Sequence, residues 1–226
     1  MPIGQSIYTR LSQAITPDES ICLVCNAPLD EVAWILGEAK LCQNCRKQLQ
    51  VHKQAYRIEG RIWYVLYEYN DFLERLWFRY KEQRDIVLAP IFLEEVCASF
   101  FSKYCVCGLC SSEKKRLDRG FEPLKEIFMA QGIEFYSPFY KNRDWKQNHQ
   151  HKQERKKIAQ ILKKKSLYPL PNKAICLVDD VCTSGASLEA ALSQMDCAMV
   201  FVVSAHPVWI QEHAAMRVSL RKVPWK

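Results

Sequence analysis

Ile175-Cys-Leu-Val-Asp-Asp-Val-Cys-Thr-Ser-Gly-Ala-Ser187 is the stretch whose reading decides the fold. The apolar run Ala174–Val178 suits a strand buried on both faces of a parallel sheet. It ends in two consecutive acids, Asp179 and Asp180. A short hydroxyl-rich loop follows, with its one glycine at Gly185, and a helix is expected to open near Ser187. In an open α/β sheet, ligands bind at the carboxyl ends of strands. Loop N–H groups and the positive end of the next helix form an anion site there. Thr183, Ser184 and Ser187 add hydroxyl donors. Paired carboxylates beside a phosphate cradle suit a sugar phosphate, because acids accept hydrogen bonds from vicinal hydroxyls.

Outward from this loop the chain alternates between strand and helix patterns. Ile62–Tyr69 is rich in β-branched and aromatic residues and predicts a strand. Asn70 or Asp71 can cap a helix reaching about Lys81, with Leu73, Leu76, Trp77 and Tyr80 on one face. A second helix is expected over Ile86–Ser102, a strand at Cys105–Leu109, a polar loop over Ser111–Gly120 and a helix at Pro123–Gln131 ended by Gly132. A strand at Phe135–Tyr140, a basic helix at Glu154–Lys165 and a strand at Met199–Ser204 complete the series. This order predicts an α/β domain over residues 56–226, with a mostly parallel sheet flanked by helices.

Residues 1–55 read differently. Cys22-Leu-Val-Cys25 and Cys42-Gln-Asn-Cys45 are two Cys-x2-Cys pairs separated by sixteen residues. Paired two-residue gaps let two turns each present two thiolates, the pattern of a four-cysteine structural Zn²⁺ site. A segment of this size buries little core, so metal binding is expected to supply its folding energy.

The chain has 226 residues, a formal net charge of +7 and eleven cysteines. No signal peptide or membrane-length apolar run is seen, so the sequence predicts a cytoplasmic protein. In that reducing setting, cysteines are expected as metal ligands or free thiols rather than disulfides. Between Lys141 and Lys165 there are ten Lys or Arg residues against two acids, which invites a polyanionic partner. Trp145, Tyr136 and Tyr140 nearby offer stacking surfaces, which tilts the reading toward single-stranded nucleic acid, with Lys156 and Lys157 as candidate contacts. Cys105, Cys107 and Cys110 are read as packed thiols rather than a second metal site, and His149 and His151 as solvated imidazoles.

The Ile175–Ser187 segment resembles the signature of type I phosphoribosyltransferases: four apolar residues, two acids, an apolar and a variable residue, then Thr-Thr-Gly-x-Thr. The resemblance implies that Asp179 and Asp180 hold the ribose hydroxyls of phosphoribosyl pyrophosphate. Thr183, Ser184, Gly185, Ala186 and Ser187 would then hold its 5′-phosphate, with Mg²⁺ on the pyrophosphate. With the four-cysteine motif in front, the whole arrangement is similar to the ComF family, the late competence proteins of transformable bacteria. Leu41-Cys-Gln-Asn-Cys-Arg46, Phe78-Arg-Tyr-Lys-Glu-Gln-Arg-Asp85, Arg119-Gly-Phe121, Gln147 and Arg155 carry further likeness. The family implies uptake of single-stranded DNA, beside a helicase-like ATPase at the inner face of the membrane. In this architecture Lys115, Arg116 or Arg119 would contact pyrophosphate or DNA.

Three positions depart from the family pattern. Glu122-Pro123 stands where Asn-Gln usually follows Arg-Gly-Phe, Cys110 where a proline usually opens the preceding loop, and Ile158 where an Asn often follows Arg155. Ligand binding is therefore better supported than turnover. Two classes stay open: a phosphoribosyl-transferring enzyme, and a non-catalytic adaptor with a regulatory or vestigial sugar-phosphate site.

Overall fold

The computed structural model describes residues 21–29, 40–141 and 161–226. Its sheet starts at a hairpin that polarity hid from the sequence reading. β1 (Val51–Ile58) is half polar, with His52, Lys53 and Gln54 in a row, yet pairs antiparallel with β2 (Arg61–Glu68) through a turn whose Glu59 and Gly60 both have positive φ, 48° and 79°. That is the two-residue turn whose twist matches a hairpin. Residue 55, the expected domain boundary, lies inside β1.

Helix α1 (Gln43–Gln48) precedes the hairpin and α2 (Asp71–Lys81) follows it. The Asn70 side chain caps α2 by accepting the Leu73 N–H at 2.9 Å, and Phe72, Leu73, Leu76, Trp77 and Tyr80 turn inward. The helix expected over Ile86–Ser102 does not form as one piece. Pro90 cannot donate to an α-helical ladder, and a 3₁₀ segment, Ile86–Leu93, stands there, with a single turn, α3 (Ala98–Phe101), after it.

The parallel part of the sheet comes next. It comprises β3 (Tyr104–Gly108), β6 (Ala174–Cys182) and β7 (Met199–Ala205). Between β3 and β6 lie α4 (Glu113–Arg119), α5 (Pro123–Ala130), and the two-stranded sheet of β4 (Phe139–Lys141) and β5 (Leu162–Lys164). After β6 come α6 (Ala186–Leu192) and, beyond β7, α7 (Pro207–Glu212) and the short β8 (Arg217–Val218). The six-stranded order is β3-β6-β7-β2-β1-β8, with β3, β6, β7 and β2 parallel to their neighbours in that run.

Period-two alternation divides the strand residues between two cores. Leu66, Val106, Cys176, Val178, Phe201 and Val203 pack under α2, the 3₁₀ segment and α5. Val65, Cys105, Cys107, Leu177, Val200 and Val202 face α6 and α7. The protein is thus α/β, with a mostly parallel sheet and flanking helices, as the sequence predicts. No helix among the described residues is long and apolar enough to cross a membrane.

Three other expectations change. The polar loop at Ser111–Gly120 is helix α4, with Ser112 at its start and Gly120 at its end. The strand expected from Phe135 begins only at Phe139, although Tyr136 forms a bridge to Cys107. Leu162–Lys164 of the expected basic helix is β5, which pairs with β4 and cannot be helical at the same time; Ile161 before it is helical, and residues 154–160 lie outside the described residues.

Gly108 closes β3 where a ring comes too near for any side chain. A Cβ built there would lie 2.0 Å from Phe135 Cζ, while the Gly108 N–H donates to the Tyr136 carbonyl at 2.9 Å. Gly108→Ala is therefore expected to destabilise the fold by about 1–3 kcal/mol or more through overpacking. Adding Phe135→Leu should restore part of the loss. Urea denaturation of the parent, single and double variants measures both effects.

Candidate functional site

The acids of the Asp-Asp loop lie inside the end of β6, which runs on to Cys182. Val178 and Val181 both pack on the same core. Being three residues apart, they show that strict alternation does not carry through Asp179 and Asp180. The backbone N–H groups here are partly taken by the acids themselves. Asp180 N–H donates to Asp179 Oδ1 at 3.0 Å and Val181 N–H to Asp180 Oδ1 at 2.7 Å. Ser204 Oγ on β7 donates to the Asp180 carbonyl at 3.1 Å.

The two carboxylates differ in their surroundings. Asp180 Oδ2 is ion-paired with Lys81, the last residue of α2. Burial would raise its pKa, but the Lys81 charge and hydrogen bond outweigh it and hold Asp180 below the usual carboxylate range. Asp179 has Lys141 and Lys81 only at longer range. Burial, followed by the negative charge of Asp180, pushes it up to about 7. One acid is thus a fixed anion and the other titrates near neutrality.

A third acid joins them. Glu122 immediately precedes α5, makes no side-chain cap to it, and is 8% exposed. Its carboxylate accepts from Ser111 N–H at 3.1 Å and Ser111 Oγ at 3.2 Å. Burial raises its pKa against these bonds, and Asp180 adds to the rise. Arg119 also reaches Ser111 Oγ, at 3.3 Å, and pairs with Glu82. Arg119 is therefore engaged within the fold, whereas Lys115 and Arg116 are exposed on α4.

The loop beyond the acids leads directly into α6. Gly185 has φ 78°, in the left-handed region, and its carbonyl accepts the Glu189 N–H at 2.9 Å. A Cβ there would also meet Trp209 Nε1 at 3.4 Å. Thr183 is exposed and Ser184 and Ser187 are half-buried, so three hydroxyls remain within reach of solvent, while Ala186 is buried. Cys182 is buried and its thiol is raised by burial, which withholds the reactive thiolate. Lys156 and Lys157 lie outside the described residues, as do Gln147, Arg155, Trp145, His149 and His151.

The cysteine pairs do converge. The four Sγ atoms of Cys22, Cys25, Cys42 and Cys45 lie within 4.8 Å of one another, and Cys25 and Cys42 are 3.6 Å apart. A tetrahedral metal with arms of about 2.3 Å has sulfur–sulfur edges of about 3.8 Å, so the cluster has the size and donors to hold a metal ion. Burial would raise the Cys22 thiol, but N–H groups of Cys42, Cys25 and Val24 outweigh it and bring it down to about 7. Among the described residues no other His, Cys, Asp or Glu group is placed for a metal. Cys105, Cys107 and Cys110 are buried free thiols.

The cysteine turns are fastened to the rest of the protein. Arg79 Nη1 donates to the Val24 carbonyl at 2.8 Å, and Arg46 pairs with Glu94 and Glu95 at 2.8 and 2.9 Å. Cys22, Leu29, Leu41, Cys45 and Leu49 belong to the same core as α2 and the sheet. The sequence reading missed Lys81 and Lys141 as site residues. Lys81 stands ninety-nine residues from Asp180, and no spacing rule links them. A scan against protein-family models finds no match to the chain, and a search of curated proteins finds none either.

The raised Asp179 has a consequence for stability. The folded protein keeps this proton between its ordinary pKa of 3.8 and about 7, whereas the unfolded chain releases it. Stability therefore falls as pH rises through that window and stays lowered above it. Without ligand, Asp179→Asn should raise the thermal midpoint at pH 8 and leave it nearly unchanged near the acid end. Scanning calorimetry across the window checks this.

Proposed function

We propose that this protein is a ComF-type competence protein that binds phosphoribosyl pyrophosphate with Mg²⁺ at the Asp179–Ser187 loop. Its α/β domain is then of the type I phosphoribosyltransferase kind. The observation that carries the reading is the continuity of β6, the acid pair and the Thr183–Ser187 loop, closed by a left-handed Gly185 at the start of α6. Asp179 and Asp180 accept the ribose hydroxyls, and the loop hydroxyls and N–H groups take the 5′-phosphate. Mg²⁺, when bound, neutralises the pyrophosphate.

The four cysteines hold a structural Zn²⁺ in this reading, since four thiolates at tetrahedral spacing suit that ion. The protein works on the cytoplasmic side in uptake of single-stranded DNA, beside a helicase-like ATPase, with the basic stretch around Lys156 and Lys157 on the strand. Phosphoribosyl transfer is the reaction such a site serves. Glu122 favours a second reading, a zinc-dependent adaptor that uses the sugar phosphate for regulation. It fills the acceptor-side position with a buried carboxylate tied to Ser111.

Isothermal titration with phosphoribosyl pyrophosphate and Mg²⁺ tests the site. The parent should bind and Gly185→Val should not, because a β-branched residue is strained at this φ and crowds Trp209. A parent that gives no heat and no thermal shift sinks the reading. Elemental analysis should find zinc in stoichiometric amount, lost in Cys22→Ser plus Cys42→Ser. Another metal, or none, would overturn that assignment.

A further inference from the structure

A cation reaches the acid pair from an element outside the sequence signature. Lys81 ends α2, and its ammonium touches Asp180 Oδ2 while standing 4.3 Å from the Trp77 ring centroid. Trp77 is buried and stacked on Phe92 at 4.0 Å. The Lys81 ammonium is thus held between Asp180 and the Trp77 ring, yet 18% of the side chain is exposed, beside an Asp180 side chain that is 25% exposed. The contact lies at the lip of the site, not in the core.

Charge divides the site into two halves. The Thr183–Ser187 half offers hydroxyls and backbone N–H groups but contains no Lys or Arg. The acid half carries Asp179, Asp180 and Glu122, and among the described residues the cations acting on the Asp pair are Lys81 and Lys141. Lys81 is in direct contact with this half and offsets the repulsion that its carboxylates exert on a phosphate. In phosphoribosyl pyrophosphate the two anionic groups stand at opposite ends of the sugar. C1, which carries the pyrophosphate, is bonded to C2, and the C2 hydroxyl is one of those an acid pair accepts. A cation on such an acid is close to the C1 pyrophosphate and far from the 5′-phosphate.

We infer that Lys81 is a ligand-contacting residue that selects phosphoribosyl pyrophosphate over ribose 5-phosphate, sharing its ammonium between Asp180 and a pyrophosphate oxygen. The inference rests on the sugar-phosphate reading of the Asp179–Ser187 loop. Its test is titration of the full chain with each of the two ligands at constant Mg²⁺, for the parent, Lys81→Met, Lys81→Gln and Lys81→Arg. Circular dichroism and the thermal midpoint show which variants are folded, and either neutral variant is sufficient for the comparison. A neutral variant should lose about tenfold or more in affinity for phosphoribosyl pyrophosphate while ribose 5-phosphate changes by less than about threefold. Lys81→Arg should recover most of the lost affinity. Equal losses for both ligands would reduce Lys81 to a prop for the loop, and no loss would remove it from the site. A parent that binds neither ligand overturns the sugar-phosphate reading itself, a result distinct from both.

Discussion

Helix α2 carries the contact on which the arrangement of the rest depends. Within its last turn, Arg79 donates to the Val24 carbonyl in the first cysteine turn, and Lys81 pairs with Asp180 at the end of β6. Residues two apart on a helix do not share a face, so one turn can hold the cysteine cluster and the acid pair at once. The inward face of the same helix, Leu73, Leu76, Trp77 and Tyr80, is buried in the larger core. Burial of that face sets the axis of the helix, and the axis determines where both basic side chains arrive.

The acid pair illustrates how identical side chains acquire different properties. Asp179 and Asp180 are adjacent, but among the described residues only Asp180 has a cation in contact. A charge at hydrogen-bond distance offsets the cost of burial, whereas one farther away offsets only part of it. The result is one permanent acceptor and one carboxyl that can carry a proton near neutral pH. Such a pair can accept from hydroxyls while limiting its repulsion of nearby phosphate, a useful compromise where a sugar and its phosphates bind together.

The cysteine segment is not independent of the α/β domain. Leu29, Leu41 and Leu49 share the core with β2 and α2, and Arg46, Lys53, Glu94 and Glu95 form a linked set of ion pairs across the junction. Glu94 is buried, whereas Arg46, Lys53 and Glu95 are partly exposed, so the two pairs made by Glu95 contribute little alone. The shared apolar burial stabilises the junction more than the ion pairs do, and it makes the cysteine turns part of one cooperative unit. A metal at the cluster would then stabilise the surface on which α2 and the 3₁₀ segment rest.

Periodicity and turn chemistry made much of this protein legible from sequence. β2, α2, α5, β6 and β7 could be placed because apolar spacing and local capping, as at Asn70, are properties of neighbouring residues. The four cysteines were also legible, because their spacing is the chemistry. β1 was not, since its polar residues are stabilised by pairing with β2 and β8 rather than by an apolar pattern. The break at Pro90 was written in the sequence but obscured by the apolar run around it, and α4 by its charge. What only tertiary structure decided is the electrostatics of the site. Lys81 reaches Asp180, and Glu122 is buried against Ser111, because helices packed on a twisted sheet bring distant residues together. The strength of each charge then depends on how much water the packing leaves around it.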